Sequence, residues 1–184
     1  EIRIGARKSA LARMQAFDVG EALKRHRPDC LVRYHFRDSS GDLDQTSALT
    51  SFGNKGVFTE DFYTALCNDE IDLVVHSWKD LPVEERPRST VAGTLPRADC
   101  RDLLLVRKNA AVKNGSLKIL SSSPRRAYNL APFLKWALPW QNLNIDFVGV
   151  RGNIETRLRK LLEGEAEGLV VAKAAIDRLL RAGR

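Results

Sequence analysis

Lys79 and Asp80 stand side by side in the stretch VVHSWKDLPVE, which runs from Val74 to Glu84. A carboxylate can steady a developing positive charge or carry a proton, and a lysine beside it can hold an anion. The apolar run IDLVVHS before them has strand length, and Pro82 interrupts whatever came before. Ligands of open α/β sheets bind outside the carboxyl ends of strands, so His76 to Asp80 stand where a site is expected. A polar loop with a surface Lys–Asp pair would have the same sequence, and this stretch alone leaves both readings open. His76 reads as a core or loop histidine, because His26 and His35 belong to other segments and no ligand spacing links them.

Cations recur at other segment ends. GARKSALA sets Arg7, Lys8 and Ser9 between a strand and a helix start, where free N–H groups favour anions. SFGNKGVF is a glycine-rich turn carrying Lys55, without the spacing of a P-loop. SSSPRRA places Ser121, Ser122 and Ser123 before Pro124, with Arg125 and Arg126 in the first helical turn. Two cations there oppose the helix dipole, a cost that a docked acidic ligand would offset. RGNIETRLRK repeats the pattern with Arg151 before a helix and Arg157 on it. Several such places in one chain favour a site for small acidic ligands over ordinary surface charge.

These groups need elements to position them. IRIG reads as a strand, and Leu11, Met14, Val19, Ala22 and Leu23 form a helical face behind Ser9, a candidate N-cap. CLVRYHF favours a strand, and FTEDFYTALCNDE a helix that Thr59 can cap, with Phe62, Ala65 and Leu66 on one side. IDLVVHS reads as a strand buried on both faces of a parallel sheet. Strands are then expected at TVAGTL, DLLLVR, LKILSS, LNIDFVGV and EGLVVA, with helices from Pro124, from Asn153 to Leu162, and at the end to Leu180. The alternation argues an α/β fold. The polar stretch VEERPRSTVAGTLPRAD is the best candidate for a crossing between a domain 1 of residues 1–95 and a domain 2 of residues 96–184.

The composition sets limits. The chain has 184 residues, 43% of them hydrophobic, and a net charge of +7. It is long enough for two small cores and apolar enough to fold. No run of five or six basic residues and no DNA-binding spacing is present, so nucleic acid is not the expected partner. No stretch nears the roughly 20 apolar residues of a membrane span. The first residue is Glu1, which suggests a processed or trimmed start, and no signal peptide is read there. Cys30, Cys67 and Cys100 are odd in number and widely spaced, which favours a reducing compartment such as the cytoplasm, without a metal or disulfide framework.

The segments IRIGARKSALARMQA, SSGD, GNKGVFTEDFYTAL, EIDLVVHSWKDLP, LPRADCRD, SSSPRRAYNL and VRGNIETRLRKL occur in this order. Together they resemble the first two domains of the porphobilinogen deaminase (hydroxymethylbilane synthase) family over nearly the whole chain. The resemblance implies two periplasmic-binding-protein-like α/β domains with a cleft between them. It implies a transferase that condenses four porphobilinogen molecules into hydroxymethylbilane, releasing ammonia, in haem biosynthesis. The growing polypyrrole hangs from a dipyrromethane cofactor linked to a cysteine. By resemblance Asp80 is the catalytic carboxylate, with Lys79 beside it. Arg7, Arg125, Arg126, Arg151 and Arg157 would hold substrate and cofactor carboxylates, and Lys55, Ser9, Ser77, Ser122 and Ser123 would add hydrogen bonds.

The chain departs from the family pattern at several positions. Leu120, Ser121 and Pro124 replace a Gly, a Thr and a Leu, Glu60 stands where a Lys is common, Cys100 replaces a Pro, and Lys173 replaces a small residue. The family's third domain, which carries the cofactor cysteine, has no counterpart among these residues, nor has the return strand of domain 1. The expected reading is part of a transferase completed by a third domain or a partner chain and inactive alone. The alternative is a noncatalytic binding module for acidic pyrroles or other small polycarboxylates.

Overall fold

The computed structural model describes residues 1–38, 59–82, 84–110, 115–140 and 142–183. They form two compact units, one of Glu1–Arg97 with Arg178–Arg184 and one of Ala98–Asp177. The chain is mixed α/β, with one parallel and one mixed sheet.

In the first unit, β1 (Ile2–Arg7) lies between β2 (Val32–Arg37) and β3 (Leu73–Val74), all parallel. Helix α1 (Ala10–His26) covers one face, where Ile4, Ala6 and Ala16 are buried among Val19, Leu23, Tyr34 and Phe36. Helix α2 (Glu60–Cys67) covers the other, through Phe62 and Ala65, which pack with Ile71 from the segment after it. Side chains alternate across a strand, so Ile4 and Ala6 serve α1 while Gly5 faces α2. A Cβ on Gly5 would lie 2.6 Å from Ile71 Cδ1, so glycine lets the α2 layer sit close to β1.

In the second unit, the sheet order is β4 (Asp102–Val106), β7 (Gly168–Ala172), β5 (Ser116–Leu120), β6 (Asn144–Val148). Strands β5, β6 and β7 are parallel, and the edge strand β4 runs antiparallel to β7. Helix α3 (Pro124–Ala137) packs Leu130 and Leu134 on one face, over Leu117, Ile119 and Val170. Helices α4 (Ile154–Glu163) and α5 (Lys173–Arg181) cover the other, over Leu120, Leu169 and Val171. Asn153 caps α4 by accepting from Thr156 N–H at 2.9 Å, and Gly164, at φ 89°, ends it in the left-handed region open to glycine.

Three expectations are corrected. TVAGTL is not a strand: its residues are exposed, and Gly93 gives the segment no side chain to pack. IDLVVHS pairs only at Leu73–Val74 and is half-buried there, because β3 has a neighbour on one side only in the described sheet. Thr59 occupies the N-cap of α2, but its side chain makes no capping hydrogen bond.

Candidate functional site

Parallel pairing puts the ends of β1, β2 and β3 at one end of the first sheet. Arg7 closes β1 there, and Lys8 N–H donates to Arg37 O at 3.1 Å. Ser9 accepts from Ala12 N–H at 3.4 Å and caps α1, so the positive end of that helix opens at the same place. Beyond β3, Val75 N–H still bonds Gly5 O at 3.0 Å before the chain enters a single 3-10 turn, Trp78–Asp80. Asp80 N–H donates to Ser77 O at 2.9 Å, which closes the turn.

Ser77 is fixed from α1. Gln15 Nε2 donates to its Oγ at 3.2 Å, and the Oγ–H donates back to Gln15 Oε1, 3.3 Å away. Lys79 is exposed and Asp80 half-buried. Among the described residues no side-chain hydrogen bond or ion pair engages the Asp80 carboxylate. This end of the unit therefore carries Arg7, Ser9, Ser77, Lys79 and Asp80.

His76 stands among them, edge-on to Phe62 with ring centroids 5.6 Å apart. Burial first, and the charge of Arg7 second, lower its pKa from 6.5 to about 4. Between those values the folded chain binds fewer protons at His76 than the unfolded chain does. The stability this gives is full above pH 6.5 and is lost as pH falls towards 4, on the order of 3 kcal/mol in all. Urea unfolding of the parent and His76→Asn across this window is expected to show the smaller acid loss in the variant. Parallel losses would exclude His76 as the titrating group.

The second unit builds a cationic group in the same way. Its parallel strands end at Leu120, Val148 and Ala172, and the antiparallel β4 starts at Asp102, opposite Ala172. One acid is thereby brought to the end where the basic loops lie. Arg126 Nε donates to Asp102 Oδ2 at 2.9 Å and Nη2 to Oδ1 at 2.5 Å, in a fork held largely away from water. Ser123 caps α3 by accepting from Arg126 N–H at 3.4 Å, with Pro124 in the first turn. Ser122 bonds across to Val150, its Oγ 2.6 Å from the carbonyl oxygen and 2.7 Å from the nitrogen. Arg157 Nε donates to Gly152 O at 2.8 Å. Gly152 has φ 102°, and a Cβ there would meet Thr156 at 2.7 Å, so glycine lets the loop turn into α4.

Arg126 and Arg151 each repel Arg157. The Arg157 guanidinium is held below its usual pKa by burial first, then by the charges of Arg126 and Arg151. Nη1 of Arg151 is buried. Arg125 lies exposed in the first turn of α3. Such crowding costs free energy that a bound polycarboxylate would recover.

Lys55 lies outside the described residues. Sequence reading missed Gln15 and Asp102. Gln15 is four residues from both Leu11 and Val19 on the apolar face of α1, and a polar residue there was the signal. Asp102 closes the quoted segment LPRADCRD, but only the antiparallel strand brings it to Arg126.

The departures from the family pattern have local partners. Leu120 is a core residue and Ser121 is buried. Glu60 pairs with Arg86 at 2.8 Å, and that guanidinium lies over the Tyr63 ring. Lys173 Nζ pairs with Asp177 at 2.6 Å and lies 4.0 Å from Asp99. Cys100 is exposed, while Cys30 and Cys67 are half-buried. Among the described residues, no group of His, Cys, Asp and Glu is placed to hold a metal ion, and no helix is long and apolar enough to cross a membrane.

A family model described as porphobilinogen deaminase, dipyromethane cofactor binding domain, matches residues 2–184. The chain is 37% identical over 180 residues to the porphobilinogen deaminase of Syntrophomonas wolfei, covering 97% of this chain and 56% of that protein. It is 37% identical over 183 residues to the porphobilinogen deaminase of a Nostoc species, covering 97% and 54%. It is likewise 37% identical over 179 residues to the probable porphobilinogen deaminase of Thermoplasma volcanium, covering 97% and 57%. The chain thus spans little more than half the length of these curated relatives.

Proposed function

Because this chain belongs to the porphobilinogen deaminase family, we propose that it supplies the pyrrole-handling part of a transferase that condenses four porphobilinogen molecules into hydroxymethylbilane and releases ammonia. The observation that carries this reading is that the half-buried Arg157 feels the charges of both Arg126 and Arg151, so three guanidinium groups serve one end of the second unit, which suits a ligand bearing several carboxylates. Each porphobilinogen ring bears an acetate and a propionate.

The dipyrromethane cofactor has the same side groups, so the residues present fit it as well. When bound it supplies the primer from which the chain of pyrroles grows. Arg126 is aimed by Asp102, and its Nη1 edge is left for a ligand carboxylate. Arg151 and Arg157 add charge beside it. On the other unit, Asp80 would steady the methylene-pyrrole cation left when the amine departs, and would move protons at the pyrrole nitrogen. Lys79, Arg7 and Ser9 would hold the side-chain carboxylates of the ring being added, and Ser77, aimed by Gln15, would add a hydrogen bond. In this reading the chain holds two periplasmic-binding-protein-like domains, 1–95 and 96–184. The anchoring cysteine and the remaining wall come from a third domain or a partner chain.

Calorimetric titration of the 184-residue chain with porphobilinogen and with its dimethyl ester tests the carboxylate reading. Binding of the diacid that weakens with added salt, and loss of binding by the ester, are expected. Equal affinity for both would overturn it. A full-length protein that binds porphobilinogen but never consumes it would favour the noncatalytic module.

A further inference from the structure

We propose that Ser122 is not a ligand contact but a positioning residue, a bolt between two loops that aims Arg151. This rests on the proposed binding of acidic pyrroles.

The hydroxyls of Ser122 and Ser123 differ in the proton each has left to give. A serine hydroxyl has one hydrogen to donate. Ser122 Oγ lies 2.6 Å from Val150 O, and a carbonyl oxygen has no proton, so the hydroxyl proton lies between them. Val150 N–H points back at the same Oγ from 2.7 Å. Ser122 therefore has nothing left to donate, and an ionised carboxylate can only accept. Ser123 differs. Its Oγ accepts from Arg126 N–H at 3.4 Å, which leaves its own proton free.

The bolt joins the loop after β5 to the loop after β6, across 28 residues of sequence. Val150 is 2% exposed, and the part-buried bonds to Ser122 are what its backbone groups lose when the hydroxyl is removed. Arg151 follows directly. On its other side Gly152 O is held by Arg157 Nε at 2.8 Å. The residue that carries the charge is thus braced on both flanks, by a serine and by a second arginine.

The test uses Ser122→Ala, Ser122→Thr and Ser123→Ala, each alone and combined with Arg151→Ala. Amide hydrogen exchange at Val150 is read in the free chain, and affinity is read by calorimetry with porphobilinogen. Ser122→Ala is expected to speed exchange at Val150 and to weaken binding about tenfold, the loss of one part-buried hydrogen-bonded group. In the Arg151→Ala background it should add no further loss. Ser122→Thr, which keeps the hydroxyl, should match the parent in both readouts. Ser123→Ala should leave Val150 exchange unchanged, and its binding loss should add to that of Arg151→Ala. Unchanged Val150 exchange in Ser122→Ala, or a loss that adds in full to Arg151→Ala, would overturn the assignment. Should the alanine variant fail to fold, weak binding by Ser122→Thr would overturn it too. A parent chain that does not bind porphobilinogen would sink the proposed function, while the exchange readout would still decide whether the bolt exists.

Discussion

Asp80→Asn, made in a full-length protein carrying this sequence, is expected to lower hydroxymethylbilane formation by about a thousandfold, the scale of losing a preorganised charge at a reacting centre. The fold should barely change. Among the described residues the Asp80 side chain engages no partner that an amide would lose, and the turn around it is closed by backbone. The amide has the same shape and lacks only the negative charge, so the experiment isolates that charge. Rates are read by the appearance of the linear tetrapyrrole, and stability by urea unfolding. Turnover near that of the parent would remove Asp80 from the mechanism, and a large stability loss would make it a structural residue.

Arg126→Ala carries the second large effect. It removes a cation from the ligand side and strands Asp102, which is mostly shielded from water and holds the guanidinium by two bonds. Affinity for porphobilinogen should fall by about 2–3 kcal/mol, roughly 30- to 150-fold, as expected for a charged hydrogen bond out of water. Arg126→Lys should recover little, because an ammonium cannot grip Asp102 by a fork and face a ligand at once. The salt dependence of binding should also flatten in the alanine variant. Unchanged affinity and an unchanged salt slope would leave the Arg126–Asp102 pair as a strut within the unit.

Local chemistry was the legible part of this chain. Ser9, Ser123 and Asn153 announce their helices because a short oxygen side chain before an apolar face can accept from the first free N–H groups. The apolar runs at β5 and β7 read as strands because they lie inside a sheet covered on both faces, and β6, at its edge, reads as one because Ile145 and Phe147 alternate with Asn144 and Asp146. TVAGTL has the same residue types, but strand formation also needs a neighbour, which no composition reports. The site divides similarly. Its arginines and the Lys79–Asp80 pair stand out at segment ends, where polar groups need a reason. Their supports do not, because Gln15 meets Ser77 across 62 residues and Asp102 meets Arg126 across 24. Which acid serves which base is decided by strand direction, a property of the assembled sheet.

The second unit is one unbroken stretch of chain, Ala98–Asp177, whereas the first needs residues from both ends, and the last turn of α5 belongs to it. There Arg181 Nη2 reaches Asp18 Oδ2 at 3.1 Å, across 163 residues. The second unit therefore lies in the chain as an insertion within the first, and its own contacts close without any residue from outside Ala98–Asp177, whereas the contact between Arg181 and Asp18 closes only across the whole of it.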